Sequence, residues 1–244
     1  MDRRFVLTGL TASAFSSLGL TACETLDPTV LNSILASGAL TQADAAAGIR
    51  AALNNGIGQA ISTTGRVDGF LADDLIRIPL PGFMQDLQNT LRPLGASGLL
   101  DEMQTQLNRG AEKAVPVAKD IFVDAVSTLS ITDAINIVRG PDNAATSFLQ
   151  QQTTPRLTQL FNPIMDNALG QTGALRLVDQ LSSNLSSVPF APQLGTDAKT
   201  NLIGHGVDYG LKGMFAYIGK EEQAIRANPA KRTSEILRRV FATA

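Results

Sequence analysis

Cysteine, histidine, tryptophan and tyrosine are almost absent from this chain: 244 residues carry one Cys, one His, no Trp and two Tyr. A single cysteine excludes an internal disulfide framework, and with a single histidine it leaves no Cys/His set for a zinc site. No Gly-x-Ser-x-Gly elbow, Walker loop or EF-hand loop occurs, so the usual routes to a nucleophile, a phosphate cradle or a calcium ion are missing. No cofactor or metal ligand set is implied. Charge of one sign is also scarce, with a net charge of −2, and nothing in that balance points to nucleic acid as a partner. With 44% hydrophobic but only 5% aromatic residues, the available core is one of Ala, Leu and Ile.

Long apolar runs are missing as well, and the most apolar stretch lies at the N-terminus. Arg3 and Arg4 precede a run from Phe5 to Leu20 that Ser, Thr and Gly dilute too heavily for a transmembrane span of ~20 apolar residues. Small residues Thr21 and Ala22 follow. A basic end, a short apolar run and a small-residue site are the order of a cleaved secretory signal, expected over residues 1–22. Leu20-Thr21-Ala22-Cys23 resembles the bacterial lipobox, which makes Cys23 the expected lipidation site and first mature residue. Two or three acyl chains on that residue, at ~0.8 kcal/mol per buried methylene, give a stable membrane anchor. Arg3-Arg4-Phe5-Val6-Leu7 fits the twin-arginine export motif as well as a general secretory signal, so the export route stays open. Glu24 stands where an aspartate would signal inner-membrane retention, which points to the outer membrane, facing the periplasm.

The expected division is then a signal peptide at 1–22, a lipidated tether with a short helix at 23–40, and a helical domain at 41–244. Thr41, with Asp44 three residues on, starts the first long helix, in which Ile49, Leu53, Ile57 and Ile61 share one face up to Gly65. Residues 65–82, with Arg77-Ile78-Pro79-Leu80-Pro81-Gly82, form an extended connector because two prolines remove donors and fix dihedrals. Helices resume near Phe83, pause at Arg92-Pro93, and continue from Ser97 with Leu100, Met103 and Leu107 on one face. Pro116 interrupts or opens the next, and Ser130 with Asp133 caps another that runs to Gly140. Asp142 opens a helix through Phe148, Thr154-Pro155 begins a separate one divided or bent at Pro163, and Gly173 precedes a run carrying Leu175, Val178, Leu181 and Leu185. After a Pro/Gly-rich linker at 188–195 comes a segment over 196–227, and Asn228-Pro229 starts a last helix with Ile236, Leu237, Val240 and Phe241 on one side. No apolar/polar alternation is long enough for a strand. The fold class is all-α, a single domain of around ten helices.

Four motifs, Arg77 to Gly82, Ala111-Glu112-Lys113-Ala114-Val115-Pro116, Ile121-Phe122-Val123-Asp124-Ala125, and Glu221-Glu222 through Ala224-Ile225-Arg226-Ala227-Asn228-Pro229, together resemble the bacterial helical proteins of domain of unknown function 4197. The likeness spans roughly residues 40–241. It implies an exported protein with one helical domain and carries no activity with it. Where that family leads one to expect basic residues after the helix of Ala144, Ala145 and Thr146, this chain has Gln150, Gln151 and Gln152, which argues against an anion site there.

Three features remain as functional candidates. His205 could act as a base with a distant Ser and Asp, though a structural role on a helix face is the simpler reading. Gly204, Gly206 and Gly210 superficially suggest a phosphate loop, but with Gly213 they recur at helical spacing, which suits close approach of a neighbouring helix. Glu221, Glu222, Arg226 and Arg232 form a candidate cluster, either an interaction surface or an architectural clamp that fixes the angle of the last helix. The function these readings support is a membrane-anchored envelope lipoprotein that binds an envelope protein or an apolar ligand without catalysis. The alternatives are an envelope hydrolase using His205 and a purely structural envelope protein.

Overall fold

The computed structural model describes residues 42–191 and 194–228. Cys23, the signal and tether, Thr41, the side chain of Asp44, Arg232 and the expected helix after Pro229 lie outside the described residues. Within them the chain forms α1 (Gln42–Thr64), α2 (Gly82–Leu91), α3 (Gly98–Ala114), α4 (Lys119–Ser127), α5 (Ile131–Arg139), α6 (Ala144–Thr172), α7 (Ala174–Ser186) and α8 (Ala198–Ala227). Two 3-10 turns, Arg92–Leu94 and Val115–Ala118, each open on a proline at their first positions, where a missing N–H costs nothing. No strand occurs among the described residues. The all-helical single domain is as expected; the described residues carry fewer helices than the ten or so expected, two of which, in the tether and after Pro229, lie outside them.

A further difference is α6. Pro155 and Pro163 lie inside one continuous helix of 29 residues rather than dividing it. Both prolines are on the exposed side, so the carbonyls they leave without a donor, at Gln151 and Gln159, face water. Side chains just before each proline also bond back one turn: Thr153 Oγ1 to the carbonyl of Leu149, Thr154 Oγ1 to that of Gln150, and Asn162 Nδ2 to that of Thr158. On the opposite side Leu149, Leu157, Phe161, Met165 and Leu169 are buried without interruption. Packing of that apolar face outweighs the local cost of the prolines.

The longest helix, α8, is the axis of the molecule. It packs most extensively on α6 and α1 and also touches α3 and α7. Its glycines make this possible. A Cβ at Gly206 would meet Leu107 Cδ1 at 2.8 Å, and one at Gly213 would meet Phe70 Cε1 at 2.6 Å and Ile76 Cβ at 3.1 Å. Phe122 meets Phe215 edge to face with ring centroids 5.7 Å apart. A second, smaller core at one end joins Ala46, Ile49 and Ala52 of α1 to Leu129, Ala134, Ile137 and Val138, and to Ala145 of α6.

Candidate functional site

The connector at 65–81 is held on the bundle by side chains that meet its backbone groups one by one. Its extended part has only two main-chain donors after Arg77, because residues 79 and 81 are prolines. Ile78 N–H donates to Asn108 Oδ1 at 2.8 Å, and Leu80 N–H to Gln85 Oε1 at 3.1 Å. The Ile78 carbonyl accepts from Asn108 Nδ2 at 2.9 Å and from Gln104 Nε2. One carboxamide of α3 thus pairs with both polar groups of a single residue, as a neighbouring strand would. Ile78 and Leu80 point inward and are fully buried.

His205 completes this seam. Its Nε2 lies 2.8 Å from the Pro79 carbonyl oxygen. A carbonyl offers only lone pairs, so Nε2 carries the proton. The ring is tilted against Tyr209 at 4.3 Å. Burial pushes the imidazole below its ordinary pKa and Lys212 adds to that, while the Pro79 carbonyl and Asp208 pull the other way. No serine hydroxyl and no carboxylate is hydrogen-bonded to His205 among the described residues. About two and four turns further along α8, Lys212 sits over the Tyr209 ring and Lys220 over Tyr217. The Tyr217 hydroxyl donates to Asp73, which holds the Asp73 carboxyl below the usual range and raises the phenol.

Upstream, Glu112 of α3 anchors the first half of the connector. Its Oε1 accepts from the N–H groups of Phe70 and Leu71 at 3.1 and 3.2 Å, and its Oε2 from Arg109 Nη1 at 2.7 Å. Arg109 continues to Asp68, a residue with a positive φ of 65°. Glu112, Asn108 and Gln88 are buried polar groups; of these only Glu112, within the Ala111 to Pro116 motif, stood out in the sequence, and without a role. A signal existed: Asn108 and Glu112 are four apart, beside the apolar face of Leu100, Met103 and Leu107.

The second constellation is the C-terminal charge cluster. Glu222 and Arg226, one turn apart on α8, meet at 2.8 Å with side chains only 6% and 12% exposed. The Glu222 carboxylate accepts from Ala145 N–H at 2.9 Å, from Thr146 N–H at 2.8 Å and from the Thr146 hydroxyl at 2.8 Å. Those are free donors of the first turn of α6, whose own N-cap residue Asn143 makes no side-chain cap. Arg226 Nη2 donates to the Ile137 carbonyl at 2.7 Å, which also accepts from Gly140 N–H at 3.3 Å, with Nη1 towards the Val138 carbonyl in the same last turn of α5. The pair therefore caps the end of α5 and the start of α6 together, its negative member at a helix N-terminus and its positive member at a C-terminus, the favourable sense of both dipoles. The start of α6 is filled by a carboxylate of the same chain, so it offers nothing to an external anion.

Of the four residues of the candidate cluster, Glu222 and Arg226 come together, Glu221 lies beside them over Gly56, and Arg232 is outside the described residues. The other adjacent acids serve separate contacts. Asp74 pairs with Arg77, and Asp101 accepts from Ser97, Gln88 and Arg92. Gly204, Gly206, Gly210 and Gly213 all lie within α8, with Gly206, Gly210 and Gly213 turned to packed neighbours. Close helix approach is thus the reading the structure supports, and no phosphate loop is formed. Next to Glu222 a small apolar pocket of about 30 Å³, partly open to solvent, lies between α1, α5 and α8. No group of three or more His, Cys, Asp or Glu that could hold a metal occurs among the described residues. No single helix among them is long and apolar enough to cross a membrane.

No curated protein and no solved structure matches the chain. A family model described as a protein of unknown function (DUF4197) matches residues 39–242, which takes in the connector, the Glu112 helix and the Glu222–Arg226 clamp. The chain belongs to that family.

Proposed function

We propose that this is a lipid-tethered protein of the bacterial cell envelope whose helical domain acts by binding, without catalysis. Cys23, in Leu20-Thr21-Ala22-Cys23 after a complete signal, supplies the acyl anchor, and Glu24 favours the outer membrane, facing the periplasm. The observation that carries the non-catalytic part is the use made of the buried and partly buried ionisable groups. Glu112 holds the amides of Phe70 and Leu71, Glu222 those of Ala145 and Thr146, Arg226 the carbonyl of Ile137 and His205 that of Pro79. A general base must be within reach of the proton it takes from substrate, and each of these groups is instead engaged with the backbone of its own fold. The partner class is an envelope protein or an apolar ligand.

Metabolic labelling with palmitate tests the tether. Cys23→Ala is expected to abolish labelling and to leave uncleaved or mislocalised precursor, and equal labelling of the two proteins refutes the anchor. Assay of the purified protein on a panel of esters and amides tests the rest. Turnover by the wild type that is lost in His205→Gln would replace the binding reading with a hydrolase.

A further inference from the structure

The loop that follows α7 turns at Val188-Pro189-Phe190. Ala191 N–H donates to the Val188 carbonyl at 3.2 Å, which makes 188–191 a tight turn with proline at its second position and Phe190 at its third, where φ is 62°. With proline before it, that third position takes a positive φ and favours glycine, so a phenylalanine there carries a backbone cost. Its ring is fully exposed to water, and Val188 beside it is 54% exposed. A ring exposed to this degree offsets neither cost by packing within the described residues.

The same loop leads into an open cavity of about 380 Å³ between the start of α2 and the start of α8. Phe83, Leu194 and Ala198 line it, half-buried, above the buried Met84, a side chain that adapts to the shape of an apolar occupant. Its polar residues Asp197 and Asn201 bond each other at 2.8 Å. An apolar cavity of about 150 Å³ holds a benzene molecule, so this one admits a phenyl ring with space for Val188 or Pro189 beside it. Two observations select a second copy of the chain as the occupant. The stretch 180–196 contains no charged residue, in a chain that is 17% charged, and Asp179 and Lys199 on either side of it pair with each other at 2.7 Å. A two-fold axis sets the same surface patch of two copies face to face, which like charges would oppose and this uncharged stretch does not. The exposed ring and the cavity also lie close together in the chain, with Leu194 four residues after Phe190, so one two-fold contact fills both cavities with both rings. A bilayer would take up the ring and leave the cavity open, and a small apolar ligand would do the reverse.

We infer that this end of the domain is a self-association surface, in which Phe190 of each copy enters the cavity over Met84 of the other. A buried phenylalanine removes about 150–250 Å² from water, so the two rings account for about 300–500 Å². Val188, Pro189 and the cavity walls bring the total towards the lower end of the ~1,200–2,000 Å² of specific interfaces. The dimer is accordingly weak and concentration-dependent. It does not depend on the anchor at Cys23.

Photocross-linking in the full chain tests this. Benzoylphenylalanine, a photoreactive analogue of the residue it replaces, is placed at Phe190 in cells that express two differently tagged copies, with the exposed Val123 on α4 as the control position. A mixed-tag adduct is expected in several-fold excess over the control, mapping by mass spectrometry to Phe83, Met84 or Ala198 of the other copy. No adduct above control, an adduct within one chain, or one only to lipid or to a different protein overturns the inference. Sedimentation equilibrium of the purified full chain in a density-matched detergent is the companion measurement. The wild type is expected to dimerise with rising concentration, and Phe190→Ser and Phe190→Gly to raise the dissociation constant at least about tenfold, as loss of a central aromatic contact does. Phe190→Gly should melt no lower than the wild type, because glycine accepts the left-handed φ, which separates loss of association from loss of fold. A monomeric wild type, or equal association of all three proteins, overturns the inference.

Discussion

Replacing Glu222 by alanine removes more than an ion pair. The first turn of α6 loses the acceptor for two backbone amides and for the Thr146 hydroxyl, and Arg226 stays behind in a site where its side chain is only 12% exposed. Breaking a buried pair from one side costs about 3–5 kcal/mol, because the remaining charge is left uncompensated. For a domain of this size about 2–4 °C of melting temperature corresponds to each kcal/mol, so Glu222→Ala is expected to lower Tm by about 6–20 °C. Glu222→Gln keeps the shape and one acceptor oxygen but turns an amide towards backbone donors. It should cost about 1–3 kcal/mol, the range for a buried group left unsatisfied. Arg226→Ala strands the carboxylate in turn. The double variant Glu222→Ala/Arg226→Ala is expected to be less destabilised than the sum of the singles, with a coupling of about 0.5–3 kcal/mol, since it leaves no unpaired charge. Thermal and urea melts of the four proteins measure this. High salt should barely alter the loss for this buried pair, whereas the exposed Lys199–Asp179 pair should contribute less than about 1 kcal/mol and fade with salt. A Glu222→Ala melt within about 2 °C of wild type, under 1 kcal/mol on the same conversion, or strictly additive singles, would refute the clamp.

Two glycines of α8 separate packing from propensity. Gly213→Ala forces a Cβ against the Phe70 ring and Ile76 and should destabilise by about 1–3 kcal/mol despite the helix preference of alanine. Gly204→Ala, with nothing within 4 Å of the new Cβ, should stabilise by about 0.5–1 kcal/mol; urea melts in which both move in the same direction would contradict the packing account. For His205, whose folded pKa lies below its ordinary value of 6.5, the unfolded chain takes up the proton first. Its contribution is therefore fully present above about pH 6.5 and is lost as the pH falls from there through the folded pKa, where the loss levels off. His205→Gln, which keeps a donor for the Pro79 carbonyl, should flatten that part of the stability–pH curve between pH 7 and 5. An unchanged slope would remove His205 as its source.

Much of the fold was legible along the chain because it rests on local rules. The four-residue recurrence of Ile49, Leu53, Ile57 and Ile61 marked α1, and the break at Gly65 falls one residue past its end. Ser130 and Asp133 form the capping box that their spacing announced, with the Asp133 amide donating to Ser130 Oγ at 3.0 Å. Pro79 and Pro81 excluded helix from the connector for reasons internal to each residue. Local rules failed at Pro155, where the sequence indicates the start of a separate helix, and at Pro163 the helix is not divided. The break does not occur because the freed carbonyls face water while Leu149, Leu157 and Phe161 stay buried, and which side of a helix a proline occupies is known only once the helix is packed.

The candidate sites divide along the same line. That Glu222 and Arg226 are spaced to pair follows from the sequence alone, and so does the helical repeat of the α8 glycines. What the pair does is decided in three dimensions. The amides capped by Glu222 are 76 and 77 residues away, and the carbonyl bound by Arg226 is 89 residues away. Likewise, the Glu112 carboxylate reaches the Phe70 amide across 42 residues, and His205 reaches the Pro79 carbonyl across 126. A helix end whose own cap residue makes no bond shows in the sequence only as a missing signal. The side chain that supplies the cap arrives with another helix, and its burial converts a pair that would contribute a few tenths of a kcal/mol on an exposed helix face into one whose loss costs about ten times that.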